Sequence, residues 1–529
     1  MTVSGLSNLI LTNARILTLD PLYPHAQLVA LGNGKIRSIG HNEDLEKLKE
    51  GEEEIIDCRG KTVIPGLIDA HMHLASFAES LVSINLEPHN GIRSISDIQG
   101  KIRKSSRNKP QGTWIRCRGY NEFYLKENRH PTRWDLDLAS SVHPIRLTHR
   151  SGHAHVLNSL ALKLTGITHE MPDPEGGLIE RSIATGEPTG LLFGMGDFLS
   201  KSVPPLDSGQ LDRGIKMANR ELLSLGITSV QDASSRNDST RWEQFQRWKA
   251  HGYLRPRVAM MLGVGAFKGF RKGDYPHQVD ENQLSLGGVK IMVDEVTGRL
   301  HPGQEEVNEL VCAVHQAGLQ AVIHAIEEPT IEAACNAIEL ALQRLPRSDH
   351  RHRIEHCSVC PPWLALRLAS LGVMVVTQPP FIHYSGDRYL KTVPNSQLKH
   401  LYPIRTLIEN GVHVAAGSDC PVAPPDPMIG MYSAITRISE TGEVLGVKEG
   451  ISPLEALRMY TEYAANATFE ENSKGSITPG KLADLVVLSD DPTAVPPEEV
   501  KNITVEMTIF DGNVVWDRNG LTDDASFDV

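Results

Sequence analysis

The sequence has no long apolar run. A membrane-spanning helix needs about 18 consecutive apolar residues. No stretch of the sequence approaches that length. The opening segment, MTVSGLSNLILTNARILTLD, lacks the basic region and the long apolar core of a signal peptide. The sequence therefore predicts neither a membrane partner nor secretion, and we expect a cytoplasmic protein.

Cysteine is scarce and scattered. The chain of 529 residues carries seven cysteines, an odd number that fits reduced thiols in a cytoplasm better than a disulfide framework. Cys357 and Cys360 form a C-x-x-C pair, but no second pair follows, so a zinc ribbon is not indicated. These two thiols are interpreted as incidental.

Basic residues are fewer than acidic residues. Lysine and arginine number 53 against 65 acidic residues, which gives a formal net charge of −12. This balance argues against nucleic acid and anionic membranes as partners and leaves a small-molecule substrate open. The hydrophobic content of 40% is that of an ordinary globular protein. A homo-oligomer is compatible with the sequence, which does not fix the oligomeric state.

Short apolar runs alternate with amphipathic stretches along the middle of the chain. Eight runs are predicted to be buried strands from their β-branched content and their glycine or proline borders. They lie at 63–71, 226–233, 255–262, 287–295, 319–325, 352–357, 372–379 and 411–419. Eight strands alternating with helices predict an α/β fold, a parallel (β/α)8 TIM-like barrel. A doubly wound sheet is the main alternative, but no glycine-rich phosphate loop follows an early strand.

Polar residues stand at the ends of several predicted strands. The first run ends in GLIDAHMHLAS, where two histidines one residue apart share a strand face. That pair alone fits hydrogen-bonded histidines as well as metal ligands. Barrel active sites, however, combine residues from the carboxyl ends of several strands. The candidates for such a site are His71, His73, Lys290, His324, His356 and Asp419.

The ligand types indicate the metal. Neutral imidazole and carboxylate favour zinc, with manganese, iron and cobalt as alternatives. Lys290 is the exception, because an ammonium group would repel a cation. Reaction of its amine with carbon dioxide would give a carbamate with two oxygens that can bridge two metals. The alternative is an ion pair of Lys290 with Asp294 on the same strand face.

The motifs resemble those of the amidohydrolase superfamily of metal-dependent hydrolases. VIPGLIDAHMHL is similar to its first metal motif, and GGVKIMVDE to the strand of the carboxylated lysine. VIHAIEE, HRIEHC, VVTQPPF and AAGSDCPVAPPDPMIGM resemble the later barrel motifs in order, and KGSITPGKLADLVVLSDDP the C-terminal return segment. WIRCRGYNE, HRSGHAHVLNSLAL, PEGGLIER and GEPTGLL resemble the insertion of the amidohydrolase 3 group, which contains YtcJ-like proteins and N-substituted formamide deformylases.

The resemblance implies a domain arrangement. Residues 1–64 and 476–529 are expected to form a composite β-sandwich from both ends of the chain, and residues 65–475 the hydrolase barrel. The stretch at about 75–225 is too long for a structureless loop. It is expected to form a lid-like subdomain, inserted between barrel strands one and two, over the catalytic face.

The resemblance also implies a mechanism. His71, His73 and Asp419 would hold one divalent metal, His324 and His356 a second, and carboxylated Lys290 would bridge them. A metal-bound hydroxide would attack the carbonyl of an amide, formamide, cyclic amide or carbamate and cleave its C–N bond. Asp419 would act as general base and then as general acid. The candidates for substrate binding are the insertion residues Asn121, His153 and His155, although local loop hydrogen bonds are an equal alternative for the two histidines.

Two departures from the family pattern leave the substrate open. Relatives commonly read H-A-I-G-D after the fifth strand where this chain has HAIEE, and they commonly have a D-G-S-L-G-type loop after the lysine strand where this chain has DEVTGRLHP. Three other readings remain: a mononuclear deaminase of aminated heterocycles, a scaffold without metals, and a binding or regulatory protein. Lys290 argues against the deaminase, the complete ligand set argues against the scaffold, and no feature supports the regulatory protein.

Overall fold

The computed structural model describes residues 8–51, 53–174, 176–269, 280, 282–296 and 299–520. The chain divides into two compact units, the first formed by Met1–His73 with Asn219–Val529 and the second by Leu74–Ala218. The predicted insertion, at about 75–225, overlaps the second unit. Its placement as a lid and the predicted domain limits stay predictions.

A parallel eight-stranded sheet forms the centre of the first unit, and its strands follow one another in chain order. Barrel strands 1 to 8 are Leu67–Met72, Ile227–Asp232, Arg257–Gly263, Leu284–Met292, Ala321–Ala325, Arg353–His356, Met374–Thr377 and Val414–Ala416. A parallel bridge between Met72 and Cys420 brings the eighth strand back to the first. The predicted TIM-like α/β barrel is confirmed.

Burial explains why these segments are strands. Every residue is buried in all barrel strands except the fourth, as expected for a parallel sheet covered on both faces. Each of the eight predicted segments overlaps one barrel strand. The first segment differs in one respect, because it divides at Gly66 into Thr62–Pro65, which joins a terminal sheet, and barrel strand 1.

Gly66 allows this division. Its N–H donates to the carbonyl of Asp484 at 2.8 Å, whereas the N–H of Leu67 donates to the carbonyl of Gly226 at 3.0 Å. The backbone thus leaves one sheet and enters the other within two residues. A Cβ at position 66 would lie 2.1 Å from Oγ1 of the buried Thr228, so the crossing requires glycine.

Helices follow the barrel strands. Their bounds, counting the helix that precedes barrel strand 2, are Ser208–Ser224, Ser239–Ala250, Val264–Phe267, Gln304–Gln316, Glu328–Arg344, Pro362–Ser370, Pro380–Thr392, Asn395–Leu398, Ile404–Glu409, Pro427–Thr436, Pro453–Met459 and Glu462–Asn466. Short 3-10 helices lie at Val447–Glu449 and Pro497–Asn502, and a short hairpin pairs Asp294–Val296 with Arg299–His301. Across the described ranges, every helix is too short or too polar to cross a membrane.

Two further sheets stand in the first unit. The four-stranded sheet has the order Lys35–Gly40, Leu28–Gly32, Leu9–Thr12, Glu54–Asp57. The six-stranded sheet has the order Asn513–Asp517, Val505–Phe510, Leu485–Leu488, Thr62–Pro65, Arg15–Leu17, His25–Ala26. The second sheet joins both ends of the chain, and one apolar cluster includes Leu9, Val63 and Leu485. In the sequence, a 3-10 turn, Asn42–Asp44, and a short helix, Leu45–Leu48, lie between the strands Lys35–Gly40 and Glu54–Asp57.

The second unit has its own sheet and core. Its six strands have the order Leu178–Arg181, Pro188–Phe193, Ala154–Leu157, Ile145–His149, Ile115–Tyr120, Ile84–Asn85. Its helices and turns are Leu74–Leu81, Pro88–Asn90, Ile95–Ser106, Glu122–Tyr124, Arg133–Asp137, Ser159–Thr165 and Gly196–Ser202. An apolar cluster that includes Ile98, Ile115 and Leu147 packs the long helix against this sheet.

Candidate metal centre

The carboxyl end of the barrel brings together residues from distant parts of the sequence. Nε2 of His73 lies 3.0 Å from Oδ1 of Asp419, and Nε2 of His71 lies 3.5 Å from the same oxygen. The ring of His356 lies 4.9 Å from that of His71 and 4.4 Å from that of His324, centroid to centroid. His71, His356 and Asp419 each offer one potential ligand atom, and these three atoms lie within 4.8 Å of one another.

Two of these residues have unusual backbone conformations. His356 has φ of +73° and Asp419 has φ of +57°, in the left-handed region that few non-glycine residues adopt. Such residues cost on the order of 1–3 kcal/mol and cluster at functional sites. On a regular strand, neighbouring side chains such as those of Glu355 and His356 point to opposite faces. The conformation of His356 departs from this alternation. Here both Glu355 and His356 lie beside His71.

Glu355 orients His71. Nδ1–H of His71 donates to Oε2 of Glu355, which leaves Nε2 facing Asp419. Arg353 donates to Glu355 twice, at 2.6 and 3.1 Å, and to the carbonyl of Ala70 at 2.9 Å. Burial would raise the pKa of Glu355, but Arg353 and His71 hold that pKa well below its usual range. Burial lowers the pKa of His71 to about 4, so its imidazole is neutral at pH 7.

Sequence reasoning missed Glu355 and Arg353. Their signal was present in HRIEHC, where an acidic and a basic residue two positions apart share one face of a buried strand. Both side chains are fully buried. Buried charges are normally paired and hydrogen-bonded, so this pair could have been predicted, although its partner His71 could not.

Barrel strands 1 and 8 are joined beneath Asp419. Oδ1 of Asp69 accepts from the N–H of His71 at 3.1 Å and from the N–H of Ser418 at 3.0 Å. A Cβ at position 417 would lie 2.5 Å from the nitrogen of His71, so only glycine permits this approach. Burial would raise the pKa of Asp419, but the neighbouring His73 and His71 hold that pKa well below its usual range. Asp419 is therefore an anion at neutral pH.

The other histidines also have defined outer partners. Nδ1–H of His356 donates to Oε1 of Gln378 at 2.7 Å, and Nδ1 of His73 shares a hydrogen bond of 3.1 Å with Oγ of Ser234. Burial lowers the pKa values of His324 and His356. Their imidazoles are accordingly neutral, the form in which histidine binds a metal.

Lys290 is buried in the middle of this group. Its side chain is 2% exposed, and Nζ has no hydrogen-bond partner from Asp294 or any other described residue. Burial lowers the pKa of Lys290 to about 8. Asp294, its alternative partner, instead places Oδ1 3.3 Å from Nε2 of His324.

The residues fit a divalent metal. Within the described ranges, four buried polar atoms of this group make no hydrogen bond: Nε2 of His71, Nε2 of His324, Nζ of Lys290 and Oδ1 of Asp419. A buried polar atom without a partner costs about 1–3 kcal/mol. Two neutral imidazole nitrogens and one carboxylate oxygen in this set are donors that zinc prefers, and a coordinated ion would satisfy them.

The predicted substrate-binding residues belong to the second unit. Asn121 is buried, and its Oδ1 accepts from the N–H of Phe123 at 3.2 Å. His155 is buried, and its Nδ1 lies 3.2 Å from Oγ1 of Thr148. His153 is exposed. These local hydrogen bonds agree with the structural alternative for His155, and substrate binding by the three residues stays a prediction.

Proteins of known sequence resemble the whole chain. An N-substituted formamide deformylase from Arthrobacter pascens is 30% identical and aligns with 98% of this chain and 100% of its own length. The putative amidohydrolase YtcJ of Bacillus subtilis is 28% identical over 93% of this chain and 96% of its own. Protein LONG AFTER FAR-RED 3 of Arabidopsis thaliana is 28% identical over 91% of this chain and 87% of its own.

The fold is also found among solved structures. An uncharacterized metal-dependent hydrolase from Pyrococcus horikoshii superposes with a TM-score of 0.74 at 23% identity, over 93% of this chain and 99% of its own. The sequence model described as the amidohydrolase family matches residues 54–516. The chain therefore belongs to the amidohydrolase family, in its amidohydrolase 3 group, and is a hydrolase of that family.

Proposed function

We propose that this protein cleaves a C–N bond of a small molecule at a divalent-metal centre, most simply a zinc centre. The observation that carries the proposal is the set of four buried, unpartnered polar atoms on His71, His324, Lys290 and Asp419. They belong to four different barrel strands or strand ends, and they meet at the end of the barrel where enzymes of this fold place their chemistry.

His71, His73 and Asp419 would hold one metal, and His324 and His356 a second. Lys290 would bridge them as a carbamate, formed when its neutral amine attacks carbon dioxide and releases one proton. Burial favours this step, because it lowers the pKa of Lys290 to about 8 and so raises the fraction of neutral amine at pH 7. When bound, a divalent metal would polarise the substrate carbonyl and lower the pKa of bound water from about 15.7 towards 7.

The protein's own residues would then move the proton. Asp419 is an anion at neutral pH, because neighbouring imidazoles hold its pKa low. It would accept a proton from the attacking water and deliver it to the leaving nitrogen, as general base and then general acid. The backbone fixes Asp419 beside His71, because the N–H of Asp419 donates to the carbonyl of His71 at 2.7 Å.

The substrate class follows from the chemistry and from the relatives. Amides, formamides, cyclic amides and carbamates all present a carbonyl bound to nitrogen. One relative is named an N-substituted formamide deformylase, which favours formamides. Asn121, His153 and His155 remain the proposed substrate-binding residues in the second unit, and a small molecule remains the proposed partner.

A substrate panel tests the proposal. Metal-loaded protein would be incubated with N-substituted formamides, linear and cyclic amides and carbamates, and the amine product would be measured, with Asp419→Asn as the blank. We expect amine release from at least one class, lost in the variant. Release of ammonia from aminated heterocycles, with no reaction of the amide panel, would indicate the deaminase instead.

A further inference from the structure

The two histidines that face each other across the centre have different outer partners. His71 donates through Nδ1 to a carboxylate, that of Glu355. His356 donates through Nδ1 to a neutral amide, that of Gln378, at 2.7 Å. All four side chains are at most 5% exposed, so water does not reduce the difference between an anionic and a neutral acceptor.

We propose that Glu355 and Gln378 are positioning residues that make the two metal subsites unequal, so that the subsite of His71 fills first. The inference rests on the proposed two-metal centre. A hydrogen bond to a carboxylate is about twice as strong as one to a neutral acceptor. It also increases the electron density on the opposite ring nitrogen, which strengthens metal binding. Nε2 of His71 is therefore a better ligand than Nε2 of His356.

The charges of the ligands act in the same direction. The first subsite contains the anion Asp419, within 3.5 Å of Nε2 of both His71 and His73. The second subsite has only the neutral imidazoles of His324 and His356 until Lys290 is carboxylated. Arg353 balances the charge of Glu355 but does not remove the hydrogen bond, because it donates to Glu355 while His71 also does.

Gln378 has an additional feature that fits this role. Its Oε1 is occupied by His356, and its Nε2 is a buried atom without a hydrogen-bond partner among the described residues. Glutamine at this position leaves its own Nε2 unsatisfied but keeps the acceptor for His356 neutral. Glutamate would fit the same space and change only the charge of that acceptor.

Two reciprocal substitutions test the inference. Metal-free protein in bicarbonate buffer would be titrated with Zn²⁺ by calorimetry and with Co²⁺ by absorption spectroscopy. We expect two binding steps in the unsubstituted protein. Gln378→Glu should tighten the second step by about tenfold or more and leave the first unchanged, whereas Glu355→Gln should weaken the first by about 10–100-fold. Gln378→Leu, which removes the acceptor, should weaken the second step.

Other outcomes would overturn the inference. A single binding step, two equal steps, or a Gln378→Glu variant with an unchanged second step would each contradict it. Because Glu355→Gln leaves Arg353 unpaired and can unfold the protein, the two Gln378 variants decide the matter alone, with circular dichroism as the check on folding. Ordered binding of two ions by a protein that hydrolyses nothing in the substrate panel would refute the proposed function and leave this inference standing.

Discussion

Nδ1 of His71 is hydrogen-bonded to the carboxylate of Glu355, a residue 284 positions later in the chain. This contact fixes the tautomer of His71, because the proton on Nδ1 leaves Nε2 as the lone-pair nitrogen. Nε2 lies 3.5 Å from Asp419, on the side where a metal would be bound. The ligand geometry thus depends on a buried carboxylate that is not itself a ligand.

The first prediction concerns metal content. Because six candidate ligands meet at one end of the barrel, gently purified protein should contain divalent metal, up to two ions per chain. Elemental analysis measures this, and dialysis against a chelator should remove both metal and hydrolytic activity. Less than about a tenth of an equivalent of metal, together with no activation by added zinc, manganese or cobalt, would contradict the proposal.

The second prediction concerns Asp419. Asp419→Asn removes the charge and the proton acceptor while keeping the shape of the side chain. Hydrolysis of an identified substrate should fall by at least about 10²–10⁴-fold, the usual contribution of a general acid–base group. The thermal unfolding temperature checks that the fold is kept.

Asp491→Asn is the matched control for that substitution. Asp491 is also buried and accepts hydrogen bonds from Thr493, but it stands outside the barrel strands. Its substitution should lower stability and leave kcat unchanged. Equal rates for the Asp419 variant and the unsubstituted protein would show that Asp419 carries no proton in the reaction.

The third prediction concerns Lys290. Lys290→Ala should lose the bridging carbamate, retain less metal and lose most activity. Short carboxylic acids such as acetate or propionate should restore part of that activity, because they return two oxygens to the vacated space. Activity and metal content would be measured at increasing acid concentration.

Lys249→Ala provides the control for rescue. Lys249 is a half-buried lysine, and its Nζ donates to the carbonyls of Arg255 and Pro256. Its substitution should cost stability, keep the metal content and show no response to acids. A Lys290→Ala variant that stays active with one metal would support the mononuclear deaminase.

The fourth prediction concerns acid stability and His352, which lies just before barrel strand 6. The N–H of Ala321 donates to Nδ1 of His352 at 2.9 Å, so Nε2–H of His352 must donate to Nδ1 of His315 at 2.8 Å. Burial lowers the pKa of His352 to about 2, against about 6.5 in an unfolded chain. Below pH 6.5 the unfolded state therefore binds a proton that the folded state does not.

The stability contribution of His352 is thus complete above pH 6.5 and is lost as the pH falls towards 2. The slope is about 1.4 kcal/mol per pH unit, or about 2 kcal/mol between pH 6.5 and 5. Urea unfolding at both pH values measures it. His352→Gln should show a smaller loss than the unsubstituted protein, whereas His169→Gln, at an exposed position, should show the same loss. Identical pH dependence in all three proteins would contradict the assignment.

The barrel and the candidate ligands could be predicted because their signals are local. A β-branched run bordered by glycine or proline identifies a buried strand, and the chain order of alternating strands and helices is sufficient for the barrel. Strand ends of a barrel converge, so His71, Lys290 and Asp419 could be grouped without knowing any distance. The predicted cytoplasmic location has no such structural test and stays a prediction.

Other features could not be predicted because they depend on the register between strands. The division of the first predicted strand at Gly66 follows from the hydrogen bond of Gly66 to Asp484, a residue near the other end of the chain. The assignment of Asp294 to His324 rather than to Lys290 follows from side-chain directions beyond the end of strand 4. Periodicity along one segment contains neither kind of information.

The sequence by itself determined the strands, their order and the residue types at their ends, since these depend on hydrophobicity and spacing along one chain segment. The tertiary structure alone decided which nitrogen of each histidine faces the centre. That choice is made by Glu355 for His71 and by Gln378 for His356. Hydrogen bonds require partners within about 3 Å, and only the folded barrel brings residues so far apart in sequence to that distance.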